Sequence, residues 1–346
     1  VINRTYLVAR KSQKSPFALP PPDLAHVLER AGDDWGDLRG KRLLVTGGTG
    51  FFGKWLLGSL LAADAERELG LRVTVLSRDP APFLRQFPEA AALQFVPGHV
   101  ADFSPPPERF DYIVHAATVT SSVETPAQEE ERTRAMIAGT RRVLDLARRD
   151  DARLLYVSSG AVYGSFTARR DGAKEDDFEP AQPLFPYAAA KREAERLCTE
   201  SGLDFVSARG FAFLGPWLPL DTHFAAGNFL GDALRGGPVI VRGDGTALRS
   251  YLHPADLVVW LLRILLRGRR ARAYNVGSDE AVTTAQLARL IADAVDPAMA
   301  VTVQSSQAPG PQNIYLPDIS RARTELGLEV WIPLREAIAR TVEFFL

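Results

Sequence analysis

The sequence predicts an α/β fold, a doubly wound parallel sheet followed by a smaller C-terminal α/β region. Three observations carry this expectation. From residue 41 onward, short runs rich in Val, Ile and Leu alternate with helical segments. Such runs read as strands buried on both faces, which a parallel sheet covered by helices provides. The first run leads straight into a glycine-rich turn, TGGTGFFG at 46–53, and then into a helical pattern. Beyond about residue 205 the texture changes to Gly- and Pro-bearing stretches with shorter elements.

In chain order, residues 1–20 are basic and then proline-bearing (SPFALPPPDL), which predicts an extended arm. A short helix follows at 23–31 (DLAHVLERA), then an acidic loop to Gly40. This 1–40 extension either drapes over the body or mediates a subunit contact. Strands are expected at 41–46 (KRLLVT), 72–77 (RVTVLS), 93–98 (LQFVPG), 112–117 (YIVHAA), 153–159 (RLLYVSS) and 204–210 (DFVSARG), with helices at 51–65, 124–149 and 187–201. The 211–255 stretch holds a short strand, PVIVRG at 238–243, and 282–346 holds a helix (TTAQLARLIADAV), a loop and a final amphipathic helix. The expected division is an extension (1–40), a dinucleotide-binding domain (41–205, with return segments near 254–277) and a substrate-binding region (206–346).

Bulk properties exclude several classes. The 346 residues carry a net charge of −1, which gives no long-range field for nucleic acid or an anionic membrane. The longest apolar run, LVVWLLRILL at 257–266, is interrupted by Arg263 and too short to span a bilayer, so it reads as a buried helix. A single cysteine, Cys198, rules out an internal disulfide framework and points to a reducing compartment. The histidines at 26, 99, 115, 223 and 253 have no metal-ligand spacing, so no metal site is expected. The N-terminus shows no basic-then-apolar leader pattern, and a cytoplasmic location is expected.

Four motifs carry chemistry. Gly47, Gly50 and Gly53 lie between a buried strand and a helix, the context of a phosphate-binding turn. The second strand ends in LSRDP, where a dinucleotide-binding sheet usually presents Asp or Glu to the adenosine ribose. Ser77 and Arg78 there suit a 2′-phosphate and favour NADP over NAD, with Asp79 near enough to keep NAD open. VSSGAVYG at 157–164 places Ser159 at a strand's C-terminal end, where the crevice of such a sheet opens. YAAAK at 187–191 puts Tyr187 and Lys191 one helical turn apart. A phenol with a pKa near 10 is a poor base for taking a carbinol proton. An ammonium nearby, with the charge of an oxidised nicotinamide, is expected to lower it, while serine offers the reacting oxygen a hydrogen bond.

Together these residues resemble the extended short-chain dehydrogenase/reductase family, in its NAD(P)-dependent nucleotide-sugar epimerase/dehydratase branch. TGGTGFFG, HAAT (115–118), VSSGAVYG and YAAAK fall in family order. ARGFAFLGP (208–216), GDGTALRSYLHPADL (243–257), YNVGSDEAVTTAQLA (274–288) and the LGL at 326–328 are also similar. The resemblance implies a Rossmann sheet, with Tyr187 as acid/base, Lys191 orienting the cofactor and Ser159 assisting at the sugar oxygen. It implies cofactor contacts at Gly47, Thr49, Gly50, Phe51, Phe52, Gly53, Ser77, Arg78, Val100, Ala116, Ala117, Thr118, Tyr187 and Lys191. It further implies substrate contacts at Thr120, Ser159, Gly160, Asn228 and Arg249, the last meeting the pyrophosphate, and a homodimer built on helices 124–149 and 187–201.

The departures from the family pattern narrow the chemistry. Members that eliminate water across C5–C6 carry an acidic pair right after the strand-end hydroxyl, and sugar-nucleotide decarboxylases often have Glu at the second position. Here Gly160 and Ala161 stand there. His99 occupies a place commonly held by an aspartate near the adenine, and the 309–318 loop has no arginine for a second phosphate contact. The expectation is a nucleotide-sugar oxidoreductase acting at C4, as an epimerase or a ketoreductase and not a 4,6-dehydratase. The alternatives are a non-catalytic dinucleotide-binding module and a reductase of a non-sugar carbonyl.

Overall fold

A computed structural model describes residues 16–118, 125–164, 171–177, 184–221, 224–304 and 313–346. Thr120, His223, the arm at 1–15, the first residue of the predicted 124–149 helix and residues 309–312 of the 309–318 loop lie outside the described residues.

The chain starts with α1 (Pro21–Ala31) and α2 (Asp34–Asp37), then runs β1 (Arg42–Thr46), α3 (Phe51–Arg67), β2 (Arg72–Ser77), α4 (Ala81–Gln86), β3 (Gln94–Pro97), β4 (Tyr112–His115), α5 (Pro126–Asp150), β5 (Arg153–Ser159), α6 (Pro186–Glu200) and β6 (Phe205–Gly210). It continues through α7 (Ala225–Leu234), β7 (Val239–Val241), β8 (Leu248–Arg249), α8 (Pro254–Arg267), β9 (Arg272–Val276), β10 (Val282–Thr283), α9 (Thr284–Val295), β11 (Val301–Val303), β12 (Ile314–Tyr315), α10 (Ser320–Leu326) and α11 (Leu334–Phe345). Seven strands form one sheet in the order β3-β2-β1-β4-β5-β6-β9, parallel throughout. This is a doubly wound Rossmann-type sheet.

Alternation along β1 sorts the core into two layers. Leu43 and Val45 pack with Trp55, Leu60 and Trp260 on the face covered by α3 and α8. Leu44 packs with Val143, Leu154, Tyr156 and Cys198 on the face covered by α5 and α6. The side chains of a strand point alternately to its two faces, so one Leu-Leu-Val run serves both layers. The 257–266 apolar run is the buried α8, as its composition predicts.

The described part of the extension drapes over the α3/α8 face. Phe17, Leu19, Val27, Ala31, Trp35 and Leu38 are buried there. Polar contacts pin it: Asp34 to Arg263 and Arg267, His26 to Asp256 at 2.7 Å, and Asp23 to Arg340 of α11 at 2.5 Å.

The structure departs from the sequence reading at 211–255, where a ten-residue helix, α7, stands in the Gly- and Pro-bearing stretch. Its glycines let a loop approach closely: a Cβ at Gly227 would lie 2.1 Å from the Pro219 carbonyl oxygen. Beyond the main sheet, β7 pairs with β11 in parallel, and β8 lies between β10 and β12.

Candidate functional site

The crevice is built at the C-terminal ends of β1, β4 and β5. Gly47 follows β1 with φ +76°, and a Cβ there would lie 2.7 Å from the Ala116 carbonyl oxygen. At Gly53 a Cβ would lie 2.2 Å from the Gly48 oxygen. Only glycine fits either place, so α3 closes tightly on β1 and leaves a cradle lined by backbone. Gly50 caps α3 with no side chain in the way, leaving first-turn N–H groups to face an anion. Thr49 flanks this turn, Phe51 and Phe52 open the helix, and Phe52 meets Phe213 edge-on at 4.7 Å. The cradle fits a dinucleotide's pyrophosphate.

A hydrogen-bond chain fixes the far wall. Thr140 donates to the Met136 carbonyl (2.9 Å), so its oxygen takes the Nε2–H of His115 (3.3 Å). The Nδ1 of His115 then accepts from Thr46 (2.8 Å), whose oxygen accepts from the Ala117 N–H (3.1 Å). One tautomer satisfies every member. Burial, then Lys191, pushes the His115 pKa down to about 3, which keeps the ring neutral. Ala116, Ala117 and Thr118 are thereby held beside the glycine turn, and the Thr118 hydroxyl oxygen is buried with no hydrogen-bond partner among the described residues. The strand read to 117 stops at His115, which frees these residues to line the crevice. Val100 packs against Gly139 of α5, where a Cβ would come within 2.8 Å. At the end of β2, Ser77 is buried and Arg78 exposed, while the Asp79 carboxylate accepts from Ala81 N–H at the start of α4.

Ser159 ends β5, and its hydroxyl oxygen caps the 3-10 turn Gly160–Tyr163 by accepting from Ala161 N–H at 3.1 Å. The same hydroxyl opposes the rise that burial imposes on the phenols of Tyr187, in the first turn of α6, and of Tyr315 of β12. Lys191 is buried below them, donating to the Val157 carbonyl at 2.8 Å, with its Nζ 5.1 Å from the Tyr156 ring centre and 5.9 Å from that of Tyr187. The structure therefore brings Ser159, Tyr187 and Lys191 together.

Against the expected lowering, burial holds the Tyr187 phenol above its ordinary pKa, opposed by Ser159 and then Arg132. Lys191 is itself buried, its pKa pushed down to about 8, and donates to the Val157 carbonyl.

Beside Ser159, Gly160 lies under an aromatic wall. A Cβ there would meet the Phe211 ring at 2.8 Å, and Phe211 packs on Tyr315 with ring centres 4.8 Å apart. Arg249 of β8 stands next to Tyr315 in strand register, its guanidinium 5.8 Å from that ring's centre. It donates to the carbonyls of Leu248 (2.7 Å) and Asn313 (3.1 Å) and has no acidic partner among the described residues, as an anion site needs. Asn228 is half-buried on α7, a helix that packs against α9 and β7. Sequence reasoning missed Arg132, Phe211 and Tyr315, which reach the crevice from distant parts of the chain with no local spacing to mark them.

Residues 43–277 match the profile of the NAD dependent epimerase/dehydratase family. UDP-glucuronic acid decarboxylase 1 of Arabidopsis thaliana is 29% identical over 311 residues, covering 88% of this chain and 69% of that protein. dTDP-glucose 4,6-dehydratase of Streptomyces niveus is 28% identical over 328 residues, covering 88% and 92%. Among solved structures, the epimerase Mth375 of Methanothermobacter thermautotrophicus superposes with a TM-score of 0.78 at 25% identity, covering 91% of this chain and 95% of that one. MoeE5 in complex with UDP-glucuronic acid and NAD gives 0.72 at 26%, covering 88% and 98%.

Proposed function

The chain belongs to the NAD dependent epimerase/dehydratase family, and from that premise we propose that it works by hydride transfer at C4 of a nucleotide-linked sugar, as a 4-epimerase or a 4-ketoreductase and not as a 4,6-dehydratase. It is an enzyme of the extended short-chain dehydrogenase/reductase type. The observation that carries the proposal is Gly160–Ala161 beneath the Phe211 ring, where elimination would need a carboxylate pair. With no acid there, what remains is chemistry that moves a hydride and one hydroxyl proton.

In this reading Tyr187 takes the proton of the sugar's C4 hydroxyl on oxidation and returns it on reduction. Ser159 holds the same oxygen and favours the Tyr187 phenolate. Lys191, held by the Val157 carbonyl, keeps two further N–H donors for ribose hydroxyls. Arg249 binds the sugar's pyrophosphate, Asn228 and Thr120 contact the substrate, and the Gly47–Gly53 cradle holds the dinucleotide. NAD(P), when bound, supplies the hydride chemistry. Arg78 is exposed at the end of β2 while the Asp79 carboxylate is engaged by the Ala81 N–H, which favours a 2′-phosphate and hence NADP. The packed pair α5 and α6 is the proposed homodimer face, and the proposed location is cytoplasmic, a reading the single, buried cysteine supports.

Purified protein is to be incubated with UDP-glucose, UDP-glucuronic acid and dTDP-glucose, with products followed by proton NMR, and with a 4-keto-6-deoxy nucleotide sugar plus NADPH. C4 epimers, or stoichiometric NADPH consumption, are expected. Tyr187→Phe should lose about three powers of ten in turnover while still binding cofactor. A 4-keto-6-deoxy product, or a pentose with release of carbon dioxide, would overturn the proposal.

A further inference from the structure

Six described residues other than glycine hold a left-handed backbone. Two of them, Glu68 and Asp151, cap helix C-termini, where that conformation is common, and Ala271 sits in the turn before β9. The other three meet at one hydrogen bond. Phe17 and Ala18 of the extension have φ of +56° and +49°, Trp217 has +68°, and the Trp217 indole N–H donates to the Phe17 carbonyl at 3.0 Å. Such a backbone is strained for a bulky side chain, and it persists only where the surroundings over-determine it. Here they do. Phe17 is fully buried, its ring edge-on to Phe83 and Phe87 and its N–H donating to the Glu89 carboxylate at 2.6 Å. The Trp217 ring meets Phe87 at 5.4 Å and Phe344 of α11 at 5.3 Å, and the Lys54 ammonium of α3 lies 4.8 Å from its centre. One residue earlier, the Pro216 carbonyl accepts from the Trp55 indole at 2.9 Å.

We propose that this hook makes the extension a clamp on the substrate side of the crevice: Phe17 holds Trp217, and Trp217 fixes the 217–220 loop that seats α7 and its Asn228. The inference rests on reading Asn228 as a substrate contact. The chain that reaches Trp217 leaves the crevice wall at Phe211, passes Phe213, edge-on to Phe52, and then Gly215, where a Cβ would lie 2.2 Å from Cδ of Pro254. Beyond Trp217 the loop lies directly on α7. A Cβ at Gly227 would come within 2.1 Å of the Pro219 carbonyl oxygen, and one at Gly231 within 2.9 Å of the Leu220 oxygen. Asn228 stands between these two glycines in sequence. Backbone packed on backbone leaves no flexible side chain to absorb a shift, so a displacement of the loop passes to the helix. Phe17 and Trp217 act through α7 and are positioning residues, not catalytic ones.

The test uses the full chain. Trp217→Phe keeps an aromatic ring and removes the N–H, and Phe17→Ala removes the anchor. Amide exchange across α7 is followed by mass spectrometry without ligand, and calorimetry on NAD-saturated protein gives the affinities for UDP-glucose, UDP-glucuronic acid and dTDP-glucose. In Trp217→Phe, α7 should exchange about tenfold faster and the nucleotide sugar that binds wild type should bind about tenfold more weakly, the effect of one lost buried hydrogen bond. Affinity for NAD should stay within about twofold. Phe17→Ala should move the same quantities in the same direction. In an Asn228→Ala background the further loss from Trp217→Phe should fall below about twofold, because the contact being positioned is already gone. A merely structural role would weaken NAD and nucleotide sugar together and add in full to Asn228→Ala. Either of those results, or unchanged exchange across α7, overturns the proposal. If Trp217→Phe does not fold, Phe17→Ala decides alone. Should none of the three nucleotide sugars bind wild type, the substrate reading falls, and exchange across α7 still decides whether the clamp exists.

Discussion

Lys191 should be a residue that costs the fold stability, and Lys191→Met should show it. The side chain is 3% exposed, and burial carries its pKa from 10.5 to about 8. That displacement corresponds to a penalty on the order of 3 kcal/mol for keeping the ammonium charged in the folded state. Methionine fills similar space without charge but leaves the Val157 carbonyl without its donor, which costs about 1 kcal/mol. A net gain of about 2 kcal/mol at pH 7 follows, or roughly 3 °C in Tm for a chain of this length. The sign with pH is definite. Below about pH 8 the lysine is protonated in both states and the penalty is complete. Between about 8 and 10.5 the unfolded chain binds the extra proton, so wild-type stability rises with pH relative to the variant and the gap closes. Thermal melts of both proteins without cofactor from pH 7 to 10 measure this directly. A difference independent of pH, or a variant less stable at every pH, would refute the reasoning.

Three other outcomes follow from the same contacts. Gly160→Glu should not confer dehydration and should destabilise by about 1–3 kcal/mol in urea melts, because its Cβ meets the Phe211 ring at 2.8 Å; adding Phe211→Ala should recover part of the loss. Trp35→Ala should cost about 3–5 kcal/mol, since this extension residue is 1% exposed and its indole donates to the Leu28 carbonyl at 3.1 Å. Arg78→Ala should weaken NADP binding by about tenfold or more in calorimetry while leaving NAD within about twofold, the difference of one charge-assisted contact.

Local pattern revealed the sheet and little of the crevice around it. The Val, Ile and Leu runs at 42–46, 72–77 and 153–159 became strands because a strand buried on both faces needs nothing else. The glycines of 47–53 were legible because backbone crowding there admits no Cβ. Helix α7 was not, since Gly227 and Gly231 lower helix propensity and serve a close approach to residues 219–220 that only the folded chain reveals. The extension could have packed anywhere until Asp34 met Arg263 and Arg267, more than two hundred residues away. In the crevice, Ser159, Tyr187 and Lys191 were readable as a motif, but Arg132, Phe211 and Tyr315 converge on it from α5, the β6 exit and β12.

The most direct measurement of C4 chemistry is product NMR in heavy water, starting in one arm from nucleotide sugars deuterated at C4 and in the other from an undeuterated 4-keto-6-deoxy nucleotide sugar with NADPH. In the first arm an epimerised product is expected to keep its deuterium at C4, and in the second the reduced sugar to gain one hydrogen there from NADPH, with nothing taken from solvent at C5 and C6 unchanged. Solvent deuterium at C5 accompanied by a new methyl group at C6 would contradict that expectation.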